Sequence, residues 1–324
     1  MRKLFFKTLR FFSCDYFLQK RNPNVLYIAL FHRVSNEKTY YYSPMPAKVF
    51  DDLCAYFSRY FSVIRFSELK NQPIEPLKPA LIISFDDGHR DVLEYALPIL
   101  KKYKLKFNIN LVTETLLTGM PQDNLVAYDA LNSTKKSHYF NPQISASINI
   151  DKSRPIRTEM EFVRLFQSLN KEQRRQLRDD IISKLGGSRL KFSRMLTKED
   201  VCCLKENGAE IGSHTYSHPI LPNISYEEIE FELANSKVLL EKMFGEKVDI
   251  IAYPDGKYNN AIISKSREVG YKFLLLTGEM TNVLNGTLKQ EFCRVGLYHD
   301  AFDENIARIF GFHESVNYLR SIVR

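Results

Sequence analysis

Short runs of apolar or β-branched residues recur along the chain, at 25–31, 61–66, 81–85, 107–112, 210–213, 248–253, 271–276 and 293–298. Between several of them lie segments with the three-to-four-residue apolar spacing of helices, at 46–61, 91–103, 198–207, 225–244 and 259–269. Strand alternating with helix predicts an α/β fold with a parallel sheet. About eight such strands predict closure into an irregular (β/α) barrel. Polar residues then fall at informative places. His32, the Asp86-Asp87 pair, His214 and the Pro254-Asp255-Gly256 turn each follow directly on a predicted strand. In a parallel barrel that carboxyl-end rim is where chemistry is assembled.

The pattern changes between Thr113 and Thr197. Residues 132–150 are polar without a sustained period. Residues 159–185 have the pattern of one or two charged helices with Phe162, Leu165, Phe166 and Leu169 on an apolar face, ended by Gly186-Gly187. Residues 151–200 hold thirteen Lys or Arg against eight Asp or Glu, so much of the chain's basic excess sits here. We expect a helical insertion at about 114–197 on the catalytic rim, within one domain spanning 23–324. Such an insertion either shapes the substrate site or is a solvated decoration.

Residues 1–22 differ again. As a helix they put Lys3, Lys7 and Arg10 on one side and Phe5, Leu9, Phe12 and Tyr16 on another. A secretory signal would need an unbroken apolar core and a small-residue cleavage site, and Lys7 and Arg10 interrupt any such core. Two readings stay open: a basic amphipathic helix in the membrane interface, with contact through residues 1–20, or a helix packed on its own domain. No run of eighteen apolar residues predicts a transmembrane helix.

Composition narrows the partners. The net charge of +8 invites an anionic partner, or is simply a basic surface. No nucleic-acid module is recognisable, so no nucleic acid is expected. The five cysteines are odd in number and lack metal-type spacing, and Cys202 and Cys203 are adjacent, which suits reduced thiols and a cytoplasmic location, peripheral at the inner face of the membrane if residues 1–20 touch it.

The chemistry lies in two motifs. Ser84-Phe85-Asp86-Asp87-Gly88 ends a buried strand with two adjacent carboxylates, which repel unless something positive compensates them. His214-Thr215-Tyr216-Ser217-His218 sets two imidazoles four residues apart. Alone, the first is a turn and the second a chance pair on one helical face. Together they suggest a divalent metal site that uses one carboxylate and leaves the other free, the pattern of a metal-dependent hydrolase.

Ser-Phe-Asp-Asp-Gly and Ser-His-Thr-Tyr-Ser-His resemble the first two motifs of the polysaccharide deacetylase (NodB-homology, carbohydrate esterase family 4) superfamily, and Ala252-Tyr253-Pro254-Asp255-Gly256 echoes the third. The resemblance covers roughly residues 25–115 and 195–300. It implies a distorted (β/α) barrel, with Asp87, His214 and His218 as metal ligands and Asp86 as catalytic base. Tyr253, Pro254 and Asp255 fall in its substrate and oxyanion segment, with the backbone N–H of Asp255 facing the oxyanion.

Three departures stand out. Many members have Arg where this chain has Ala252, and Arg294 is then the candidate to orient Asp86. There is no Trp, so the usual Asp-x-x-Asp-Trp motif is missing. A late catalytic histidine has His299 as its one candidate. Leu30-Phe31-His32-Arg33-Val34 resembles the opening of a permuted branch, in which the acid histidine comes first, so His32 is expected as general acid with His299 as runner-up. His89 is expected to be a positioning or surface residue, and His138 and His313 carry no signal.

The resemblance implies hydrolysis of an N-acetyl group on a carbohydrate, in surface polysaccharide or glycolipid biosynthesis. A lipid- or nucleotide-linked precursor suits a cytoplasmic enzyme. Zinc is the default ion, with Co, Ni or Fe suited to the same ligands. A deformylase or other amidase, or a non-catalytic carbohydrate-binding relative, are the alternatives.

Overall fold

Strand β1 (Val25–Phe31) and strand β3 (Ala80–Phe85) are buried almost throughout, and they pair in parallel from Leu26 opposite Ala80 to Phe31 opposite Phe85. Burial on both faces explains why the strands appear as unbroken apolar runs rather than alternating ones. In this computed structural model, residues 24–70, 78–133, 159–185, 190–278, 282–284, 290–297 and 301–311 are described. From β3 the parallel pairing passes through β4 (Phe107–Leu111), β5 (Ala209–Ser213), β6 (Ile250–Ala252), β7 (Phe273–Thr277) and β9 (Glu291–Gly296), then back to β1. The ring is a closed seven-strand barrel, the distorted form expected.

Two strands lie outside it. The 61–66 run yields only β2 (Ser62–Val63), followed by a 3₁₀ turn at Phe66–Lys70. β2 pairs with the first two residues of β3, while β4 pairs with its last two, so the run has little edge to occupy. The carboxylate of Glu210 accepts from the backbone N–H groups of Phe66 and Ser67 at 2.8 and 2.9 Å, which fixes the turn in place of a longer ladder. The short β8 (Asn282–Val283) pairs antiparallel with β1.

The helices are α1 (Ala47–Tyr60), α2 (Leu97–Lys102), α3 (Thr113–Thr118), α4 (Asp123–Ser133), α5 (Glu159–Ser168), α6 (Lys171–Leu185), α7 (Lys198–Glu206), α8 (Tyr226–Phe244), α9 (Asn260–Glu268) and α10 (Phe302–Ile309). Thr197 and Ser225 start α7 and α8 with reciprocal capping boxes, which satisfy backbone donors that a helix start leaves open. A large core fills the space between barrel and helices. A second apolar cluster lies within the barrel, built from alternating strand positions such as Leu26, Ile28, Ala80, Ile82, Leu275 and Phe292.

Between β4 and β5, helices α4 to α6 have their own apolar cluster around Tyr128, Leu131, Phe162, Phe166, Leu177 and Ile181. Helix α4 carries no apolar stripe in sequence because Leu125, Val126, Ala127, Tyr128, Ala130 and Leu131 are all buried. No helix among the described residues is long and apolar enough to cross a membrane. The amphipathic segment 1–22, His299, His138 and His313 lie outside the described residues.

Candidate metal and catalytic centre

Strand period two puts Ile82, Ser84 and Asp86 on the inner face of the barrel, where apolar side chains give way to polar ones at the carboxyl end. Register then brings partners level with Asp86. The pairing of Phe85 with Ile109 sets Asn110 beside it, and the Asp86 N–H donates to the Phe31 carbonyl at 3.0 Å, so His32 follows at the same height. Asp86 Oδ1 accepts from Asn110 Nδ2 and from Arg294 Nη1, both at 2.7 Å. Ser84 Oγ ties the group together, donating to Asn108 Oδ1 at 2.8 Å and accepting from Asn110 at 3.2 Å and Arg294 at 3.3 Å. Burial alone would raise the Asp86 carboxyl, but Arg294 and His214 outweigh it and hold it at about 2.

After Asp86 the chain turns sharply, with Asp87 and Gly88 at φ +73° and +83°. A left-handed aspartate is strained, and the turn aims the second carboxylate away from the first. Asp87 Oδ1 lies 3.6 Å from His214 Nε2 and 3.5 Å from His218 Nε2. Tyr42 Oη donates to its Oδ2 at 2.9 Å and Gln122 Nε2 to its Oδ1 at 3.2 Å. Burial opposes ionisation here too, yet the imidazoles of His89, His218, His32 and His214 hold Asp87 well below the usual carboxylate range.

The two histidines sit on a loop, not on a helix. Thr215 and His218 have φ +66° and +59°, and the Thr215 hydroxyl accepts from the His218 N–H at 3.1 Å. The ring centroids are 4.8 Å apart. His214 Nδ1 is 2.8 Å from the Ala252 carbonyl, which fixes that nitrogen as the donor and leaves Nε2 as a lone-pair ligand. Burial, and the neighbouring His218, lower its proton affinity.

One carboxylate oxygen and two imidazole nitrogens thus converge, all within 4.8 Å of one another and buried. The donor set fits a divalent ion with open positions. The arrangement also separates the two aspartates. Asp87 faces both imidazoles, while Asp86 is tied to a guanidinium and an amide, its Oδ2 being 3.9 Å from His214 Nε2.

The third motif forms a tight turn at Pro254–Gly256, with Asp255 and Gly256 at φ +51° and +62°. A Cβ on Gly256 would meet Thr277 Oγ1 at 1.6 Å, so only glycine lets the turn pack this close to β7. Pro254 is buried. The Tyr253 hydroxyl donates to Ser266 at 2.9 Å in the core, which braces the turn, and Tyr253 also lines the cleft over the centre. Asp255 is exposed and receives Gln167 of α5 at 3.4 Å.

A cleft of about 330 Å³ opens over the centre, lined among others by His32, Asp86, Asp87, His214, Asp255 and Arg294. The described candidates therefore come together. Of the two roles expected for His89, the structure excludes the surface one: it is buried, with Nε2 3.7 Å from Asp87 Oδ2, because the left-handed turn at Asp87-Gly88 carries the chain back inward. Tyr42, Asn110 and Gln122 were not singled out in the sequence. Period two from the Phe107 strand marks Asn110 as inward-facing, whereas nothing in the Tyr40-Tyr41-Tyr42 run signals which ring meets Asp87.

The comparisons with known proteins agree with this centre. The family model for polysaccharide deacetylases matches residues 170–274, the stretch holding both histidines and the third motif. Bacillus subtilis YxkH, a polysaccharide deacetylase by name, is 31% identical over 91 residues, 28% of this chain and 33% of that protein. The peptidoglycan-N-acetylglucosamine deacetylase of Bacillus cereus is 34% identical over 89 residues, 28% of this chain and 39% of the relative. The chain thus aligns with little more than a third of the length of these relatives. In fold it is similar to the Streptococcus pyogenes deacetylase PplD in complex with acetate, at 18% identity and TM-score 0.58 over 89% of this chain and 99% of that one. It is also similar to IcaB from Ammonifex degensii, at 15% identity and TM-score 0.56 over 88% and 97% of the two chains. A closed parallel barrel with Asp, His and His gathered on its carboxyl rim defines a deacetylase-type domain. Residues 170–274 match the polysaccharide deacetylase (NodB-like) family, and the fold is similar to that of solved deacetylases.

Proposed function

We propose that the chain is a metal-dependent hydrolase that removes an N-acetyl group from a carbohydrate. The observation that carries this is the division between adjacent carboxylates: Asp87 converges with two imidazole nitrogens while Asp86, held by Arg294 and Asn110, keeps Oδ2 free of that work. Asp87, His214 and His218 would hold the ion, zinc by default for these ligands and Co, Ni or Fe by the same ligand chemistry. When bound there, a divalent ion supplies Lewis-acid polarisation of the acetamide carbonyl.

The chain's own residues do the rest. Asp86 takes a proton from the attacking water as its oxygen bonds to the acetamide carbon. The backbone N–H of Asp255 donates to the oxyanion in the tetrahedral intermediate. His32 gives a proton to the sugar nitrogen as the C–N bond breaks, releasing acetate and a free amine. His32 as acid follows the permuted assignment, supported by its place level with Asp86 in the same cleft. The substrate belongs to surface polysaccharide or glycolipid assembly, and a lipid- or nucleotide-linked precursor inside the cell is the form that reduced thiols at Cys54, Cys202 and Cys203 suit.

The test is metal analysis of the purified protein combined with acetate release from N-acetylglucosamine oligomers. We expect about one divalent ion per chain and acetate release that a chelator stops and added zinc restores. Stoichiometric metal without acetate release from any acetylated sugar would leave a carbohydrate-binding relative as the better reading.

A further inference from the structure

The insertion reaches the catalytic cleft through Asn124 and walls a cavity beside it. A cavity of about 510 Å³ adjoins the cleft and shares Tyr42, His218 and Asp255 with it. Its far wall is aromatic, with Tyr128 of α4 and Phe162 and Phe166 of α5, and Tyr42 stacks on Tyr128 with ring centroids 5.7 Å apart. Tyr128, Phe162 and Phe166 are buried and packed on one another, so they form a rigid apolar wall, and the side-chain amides of Asn124 and Gln167 are polar groups lining the same cavity.

One residue in this wall is out of keeping with a neutral sugar site. Arg174 of α6 lines both this cavity and a smaller one on its other side that also holds Lys171. Its Nε donates to the Phe166 and Leu169 carbonyls at 2.8 and 3.1 Å, which fixes the plane of the guanidinium at the end of α5. Among the described residues no carboxylate forms an ion pair with it. The acids that act on it from a distance are Asp255, which lines the same cavity and accepts from Gln167, and Asp123, which pairs with Arg178. Burial pushes the guanidinium down from its ordinary value, the mark of a cation stripped of part of its water without full compensation.

From this geometry we infer that the insertion carries an anion subsite: Arg174 receives a phosphate or carboxylate borne by the sugar next to the one being deacetylated. This rests on the deacetylase reading above and specifies its substrate as an acidic saccharide. A fixed, half-desolvated guanidinium favours phosphate or carboxylate through charge-assisted bonds.

Calorimetry on zinc-loaded protein, made turnover-deficient by Asp86→Asn, tests this with three probes: N,N′-diacetylchitobiose, its 1-phosphate, and a disaccharide of N-acetylglucosamine and glucuronic acid. We expect the phosphate or the carboxylate probe, whichever source the site serves, to bind about tenfold tighter than the neutral one. Adding Arg174→Gln should erase that preference and leave the neutral probe within about twofold. Adding Arg174→Lys, which loses the bonds to the helix end but keeps the charge, should retain part of it. Equal binding of all three probes, or a parallel loss for charged and neutral probes in both variants, would overturn the subsite and leave Arg174 as a helix cap. Binding of none of the three would sink the sugar reading and the subsite with it.

Discussion

At the scale of single residues the site turns on two neighbouring carboxylates given different work by their surroundings. Asp87→Ala, His214→Ala and His218→Ala should each lower metal content and activity together, measured by metal analysis and acetate release. Asp86→Asn should retain the ion while turnover falls by about 10² to 10⁴, the usual scale for a positioned base. Loss of the ion in Asp86→Asn would reverse the two roles. His32→Ala should keep the metal and lose most turnover on an acetylated sugar, with a much smaller loss on an aryl acetate whose leaving group needs no proton. The same selective pattern in His299→Ala instead would overturn the permuted assignment.

The pH consequence has a definite sign. Asp86 is held at about 2 in the fold, below the roughly 3.9 of an unfolded aspartate. A depressed carboxyl contributes stability that is present above about pH 4 and lost as pH falls towards 2. Arg294→Met removes the charge that opposes burial, so melting of the metal-free variant should lose that portion of its acid dependence. An unchanged acid limb would show that Arg294 does not set the state of Asp86. At this scale the motifs themselves were legible, since carboxylate and imidazole spacing is written in the chain. Tyr42 and Gln122 were not, because they reach Asp87 from loop and insertion segments whose contacts no local pattern encodes.

At the scale of elements, register does the positioning. Asn110 stands beside Asp86 because β4 pairs with β3, and it keeps that place because β5 has a glycine opposite. A Cβ on Gly212 would lie 2.1 Å from Asn110 Oδ1 and 3.0 Å from Ile250 Cγ2. Gly212→Ala should therefore cost about 1–3 kcal/mol of stability through overpacking and lower turnover while the metal stays bound. Thermal melting, metal content and acetate release read the three effects separately. Turnover equal to that of the parent protein would mean that Asn110 is dispensable to Asp86. Most strands and helices were legible, because apolar runs and helical spacing are local signals. The misses have physical causes. Helix α4 is buried on several sides and shows no stripe, and β2 is cut short by the limited edge of β3.

At the scale of the whole molecule, barrel closure joins residues from the two ends of the described chain, since β9 pairs with both β7 and β1. Arg294 and His32 thereby reach one carboxylate from 262 positions apart in the sequence, a meeting that periodicity cannot foretell and that only the family resemblance suggested. Every described residue of the centre, from His32 to Arg294, lies downstream of the basic amphipathic segment 1–22. Deleting residues 1–20 should then leave acetate release from a small soluble sugar within about twofold, because no ligand, base or acid is removed. Wound as a helix, the segment would set Lys3, Lys7 and Arg10 opposite Phe5, Leu9 and Phe12, the arrangement that binds an interface by apolar burial plus attraction to anionic lipid. The same deletion should accordingly weaken sedimentation with vesicles containing phosphatidylserine, and more at low salt than at high salt, since screening removes the electrostatic part. A truncated protein that melts at markedly lower temperature, yet sediments as the full chain does, would instead identify the segment as a helix packed on its own domain.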